Sequence, residues 1–144
     1  MTTSTPHRIG PMGAHHAARI RGLGVVGAVL APAAVWTIAV PLIGVALRAV
    51  IGPGAAAQTI GLGAVVPVAL AVSLLGWALL ALLERRTPRA RTIWTVLAVA
   101  VLVLSLAGPL VGGVTAAAIL TLIVAHIVLA AVLIPALYCS SPTR

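Results

Sequence analysis

Lysine, phenylalanine, asparagine and aspartate are missing altogether from the 144 residues, and one acidic side chain, Glu84, stands against nine arginines. Charged residues make up only 7% of the chain, where a soluble domain carries about 25%. Polar groups this scarce cannot cover a globular surface in water. Lipid must therefore be part of the solvent, as the mean hydropathy of +1.24 also requires. The lone cysteine, Cys139, excludes an intramolecular disulfide and any dithiol redox chemistry within one chain. No glycine-rich phosphate loop, metal-ligand cluster or nucleophile–base arrangement is present, so neither enzyme activity nor a cofactor is expected. The codons for the missing Lys, Phe and Asn are AT-rich, which points to a bacterial genome of high GC content.

What remains is mostly Ala, Val, Leu, Gly and Ile, gathered into long uncharged runs. A helix needs about 20 apolar residues to cross the hydrocarbon core. Four stretches qualify, Gly22 to Gly44, Leu62 to Leu83, Thr92 to Gly112 and Val114 to Leu137. None alternates in the manner of a membrane β-strand. The expected fold is all-α, a polytopic membrane protein built as an antiparallel four-transmembrane-helix bundle over residues 22–137. Residues 1–21 are polar and without apolar periodicity, and read as a disordered tail; residues 138–144 form a short second tail.

The connections differ in kind. Residues 45–61 form a mid-length loop broken at Gly52-Pro53-Gly54. "ERRTPRAR", from Glu84 to Arg91, is short and basic, and "GPLVGGV" leaves almost no loop between the last two spans. Arg8, Arg19, Arg21, Arg85, Arg86, Arg89, Arg91 and Arg144 fall on one side of the membrane and only Arg48 on the other. The positive-inside rule then places both termini and the middle loop in the cytoplasm of a bacterial plasma membrane. Arginines in short loops between apolar runs report topology rather than a phosphate-reading face, so no nucleic-acid partner is expected. Ala31-Pro32-Ala33 resembles a signal-peptidase site, but the apolar run continues past it, and an uncleaved first helix is expected.

Inside the spans, His126 stands out, about midway along an otherwise apolar run. Ionisable residues at that depth are costly and usually face the bundle interior. Two readings stand: a proton relay or ligand contact, or a neutral imidazole hydrogen-bonded to a hydroxyl on another helix. Ser73 and Ser105 lie near the middle of spans two and three, and with His126, Trp36 and Thr37 they define a candidate intramembrane polar site. Ser73 shares a helical face with Trp77 and Glu84, and Ser105 shares one with Trp94, Ala98 and Pro109. Trp77 and Trp94 sit where indoles anchor helices at the interface. Glu84, beside Arg85 and near Arg91, is a candidate interfacial ion pair. Prolines 32, 41, 67 and 135 fall inside spans, where they kink helices or are absorbed by neighbours. Small residues on several faces favour close helix packing.

Some four-span architectures are excluded by chemistry. Small multidrug exporters need a carboxylate in the first span, and this one has none. A haem bundle needs two axial histidines across helices, and only His126 lies in the membrane. The pieces "GWALLALLER" and "AHIVLAAVLIPAL", with "VWTIAVPLIGVALR" and "RTIWTVLAVAVLVLSLAGPL", are similar to the actinobacterial four-helix membrane proteins grouped as domain of unknown function 6069. That resemblance implies a multi-pass plasma-membrane protein and supplies no activity. The expected role is a non-enzymatic membrane protein acting through helix packing against a partner or a second copy. The alternative is a binder or transporter of a small apolar or weakly basic molecule in a cavity near His126.

Overall fold

The computed structural model describes residues 11–140, with side chains from Ala18 onward. Its elements in order are α1 (Pro11–Thr37), a π-helical turn (Ile38–Leu42), β1 (Arg48–Ala49), β2 (Gln58–Thr59), α2 (Leu62–Arg86), α3 (Ala90–Ser105), α4 (Ala107–Gly112) and α5 (Ala116–Ser140). Among the described residues, four helical segments are long and apolar enough to cross a membrane: Ala18–Leu42, Leu62–Arg86, Ala90–Gly112 and Ala116–Ser140. The third is α3 and α4 run together. Pro109 cannot donate a backbone hydrogen bond, yet the ladder resumes across the join, from Leu106 N–H to the Leu102 carbonyl and from Leu110 N–H to the Leu106 carbonyl.

Two boundaries differ from the sequence expectation. Helix α1 begins at Pro11, inside the segment expected to be a disordered tail, and α5 runs to Ser140. The Ala-rich stretch after Pro11 favours the helix. Residues 1–10 and 141–144, with Arg8 and Arg144, lie outside the described residues.

Residue chemistry sets the other ends. Pro41 interrupts the ladder, and the bonds re-form one step wider, Ile43 N–H reaching the Ile38 carbonyl. Gly44, at φ +80, then turns the chain out of the helix, a conformation that side chains disfavour. Pro88 forces Thr87 into an extended conformation (φ −150, ψ 142), which stops α2 at Arg86. The Thr115 hydroxyl accepts the Ala118 N–H at 3.1 Å and caps α5.

The helices run antiparallel in sequence order around a ring in which α1 lies between α2 and α5, and α3 closes the circle. The most extensive seam joins α1 to α5. A Cβ at Gly24 would sit 2.6 Å from the Ala136 Cβ, and one at Gly27 would sit 3.0 Å from Val132. Small residues therefore set how close these backbones come, as they do in membrane bundles generally. Ala28, Leu80, Trp94, Leu133 and Leu137 form the core, with Trp77 and Leu129 packed against them. The outward stripes are apolar, among them Leu23 and Leu30, Val68 and Leu75, and Val96 and Val103. In water such surfaces would associate; in hydrocarbon they are the proper exterior.

Candidate functional site

The polar contacts between helices gather at one end of the bundle. Arg21 enters from α1 and is 9% exposed. Its Nη2 donates to Glu84 Oε1 of α2 at 2.7 Å, an ion pair whose side chains are 10% and 21% exposed. Its Nε donates to the Ser140 hydroxyl of α5 at 3.0 Å, and Nη2 also reaches the Ser140 carbonyl at 3.4 Å. The Ser140 hydroxyl in turn donates to the Leu137 carbonyl at 2.8 Å. One guanidinium thus ties three helices, and it places positive charge at the C-terminal ends of α2 and α5, where the helix dipoles favour it. Arg91 of α3 lies over the Tyr138 ring of α5, 4.7 Å from its centroid, joining the fourth helix to the same layer. Such a half-dry pair is stable only when the remaining donors and acceptors are engaged. Among the described residues no buried side-chain nitrogen or oxygen lacks a partner.

The sequence offers Arg85 and Arg91 as partners for Glu84; the structure brings a further one, Arg21, from another helix. Neighbouring helical residues are about 100° apart, so a carboxylate turned inward leaves the next residue turned out; Arg85 is exposed. Sequence reasoning missed Arg21, although a signal existed. Arg21 opens the first apolar run and Glu84 closes the second, so antiparallel neighbours carry them to the same level.

The midplane residues are arranged differently. The Ser73 hydroxyl donates to the Ala69 carbonyl at 2.7 Å, Ser105 to Leu102 at 2.7 Å, and Thr37 to Ala33 at 2.8 Å. His126 Nδ1 meets the Leu122 carbonyl of its own helix at 2.7 Å. A carbonyl can only accept, so Nδ1 carries the proton in this bond. Among the described residues no hydrogen bond joins His126, Ser73 and Ser105 to one another. Ser73 is fully buried and His126 half-buried. Trp36 leaves the group altogether, its Nε1–H donating to the Ile60 carbonyl beyond the end of the span at 2.8 Å.

Trp94 also departs from expectation. It was assigned to the interface as an anchor, yet it is 2% exposed and donates from Nε1 to the Gly76 carbonyl of α2 at 2.8 Å. A Cβ at position 76 would lie 3.7 Å from the indole Cζ2, an ordinary contact, so the hydrogen bond to the Gly76 carbonyl, not the missing side chain, ties the two helices here. An open apolar groove of about 290 Å3 lies between α3 and α5, lined by Leu102, Ile127, Ala130, Ala131, Ile134 and Pro135. His126 is not among its lining residues. Proline 135 therefore shapes an outward face of α5.

The opposite end is closed by backbone. β1 and β2 pair antiparallel, Arg48 opposite Thr59 and Ala49 opposite Gln58. Ala49 bridges onward to Gly113, with Val50 N–H donating to the Gly112 carbonyl at 2.8 Å. The expected break at Gly52-Pro53-Gly54 lies in the ribbon's turn, with Gly52 at φ +102 and Gly54 at φ +73. A Cβ at Gly112 would fall 2.6 Å from the Val50 carbonyl oxygen, so glycine permits the docking.

Among known proteins, the model of a family described as Family of unknown function (DUF6069) matches residues 13–142. No curated protein and no solved structure matches the chain.

Proposed function

The chain belongs to the family of unknown function DUF6069, and from that premise we propose that it is a non-enzymatic bacterial plasma-membrane protein that acts by packing against a partner or a second copy. One observation carries the reading. Ser73, Ser105, Thr121 and His126 all direct their hydrogen bonds to carbonyls of their own helices. The membrane interior is thereby left to apolar surface, and the small exposed residue Ala131 on the α3–α5 groove suits close approach of another helix. The arginine bias supports an orientation with the Glu84 end, and both termini, in the cytoplasm.

Purification from native membranes in a gentle detergent, followed by mass spectrometry of everything that co-elutes, tests this. A stoichiometric membrane-protein partner or a defined homo-oligomer is the expected result; a monomer carrying only a small molecule contradicts it. A second reading, a binder or transporter of a small weakly basic molecule, is favoured by His126. With Nδ1 engaged, its Nε2 has no partner among the described residues and offers a lone pair to a donor. In that case the co-eluting molecule is lost on His126→Ala while the protein still folds.

A further inference from the structure

Glu84 is the only acidic side chain in the sequence, and the fold turns it inward onto Arg21. At the same end Arg19, Arg85, Arg86 and Arg89 are exposed. Among the described residues none of their guanidinium groups forms an ion pair or donates a hydrogen bond. Three of the four lie within five positions, across a connection held by two short bonds. Thr87 N–H donates to the Leu83 carbonyl at 2.9 Å, and Arg89 N–H donates to the Thr87 hydroxyl at 3.2 Å. Like charges on so short a connection raise the local positive potential and attract an anion.

Depth identifies the anion. α2 is 25 residues long, about 37 Å at the α-helical rise, against a hydrocarbon core of about 30 Å. Its last turn therefore emerges in the headgroup layer, where lipid phosphates lie. The cations at this rim are arginines. The planar guanidinium fork grips phosphate oxygens in pairs, which a lysine ammonium cannot do. We propose that Arg85, Arg86 and Arg89 form a docking site for the phosphate headgroup of an anionic phospholipid. The inward pairing of Glu84 is what leaves this rim without a competing carboxylate. The inference rests on the bilayer-spanning reading and is independent of any protein partner.

The test is native mass spectrometry of the full chain in mild detergent, offered equal amounts of phosphatidylglycerol and phosphatidylcholine. The wild type retains phosphatidylglycerol preferentially. The triple variant Arg85→Gln, Arg86→Gln, Arg89→Gln loses that preference roughly tenfold or more, since each cation near an anionic surface contributes roughly fivefold. Removing three arginines could also invert the protein in the membrane. Labelling of the exposed thiol Cys139 with an impermeant maleimide in intact cells reports its side, and the triple Arg→Lys variant keeps the charge and is expected to keep part of the preference. Equal retention of the two lipids by the wild type overturns the proposal. So does an undiminished preference in a correctly oriented Gln variant, or equal thermal stabilisation by inorganic phosphate alone. A missing protein partner in the co-purification experiment bears only on the packing function.

Discussion

At the Glu84 end the helices are joined by side chains, whereas at the ribbon end they are joined by backbone. Arg21, Glu84, Ser140, Arg91 and Tyr138 come from four helices, and each contact depends on the identity of a charged or aromatic group. At the other end, β1, β2 and the α4–α5 turn exchange N–H and carbonyl bonds that any residue could supply, and glycine matters only because it lacks a Cβ. Trp36, bonded to the Ile60 carbonyl, is a side-chain tie there. Energy at the first end should therefore respond to changes of charge, and at the second to changes of volume.

The comparison is broken most forcefully at Arg21. Arg21→Ala leaves Glu84 without its 2.7 Å partner and removes the donor to Ser140, an expected loss of about 2–4 kcal/mol in detergent unfolding. Gly112→Ala should cost about 1–3 kcal/mol by pushing the Val50 carbonyl away. Hydrogen exchange sharpens the contrast, because amides of residues 48–60 should lose protection while those around Glu84 keep it. Trp36→Phe deletes one hydrogen bond and should cost about 1 kcal/mol, read in the same unfolding assay. Smallest of all, Ser73→Ala and Ser105→Ala should each shift stability by less than about 0.5 kcal/mol, because the carbonyls they bond remain in the helix ladder. A large effect at either serine would instead indicate a polar layer between helices.

The spans were legible because hydropathy and length act locally, and no tertiary contact is needed to know that twenty apolar residues leave water. The inward stripe of Ser73, Trp77 and Glu84 was legible from helical period alone. Which of nine arginines meets the one carboxylate was not, since that depends on the order of helices around the ring and on their rotation. The burial of Trp94 was hidden for a related reason: only the pairing of α3 with α2 brings the Gly76 carbonyl to its indole N–H. The ribbon escaped notice because two-residue strands leave no periodicity, although Gly52-Pro53-Gly54 announced its turn. At the candidate site, composition pointed to Glu84, and the fold supplied Arg21.

The claim on which the account turns is that Arg21 and Glu84 hold the helices together as a pair. A double-mutant cycle with Arg21→Met, Glu84→Met and the combination, followed by unfolding in detergent, measures this directly. A coupling of about 1.5 kcal/mol or more is expected, with the double variant more stable than Arg21→Met alone. Single effects that add to within about 0.5 kcal/mol would contradict it.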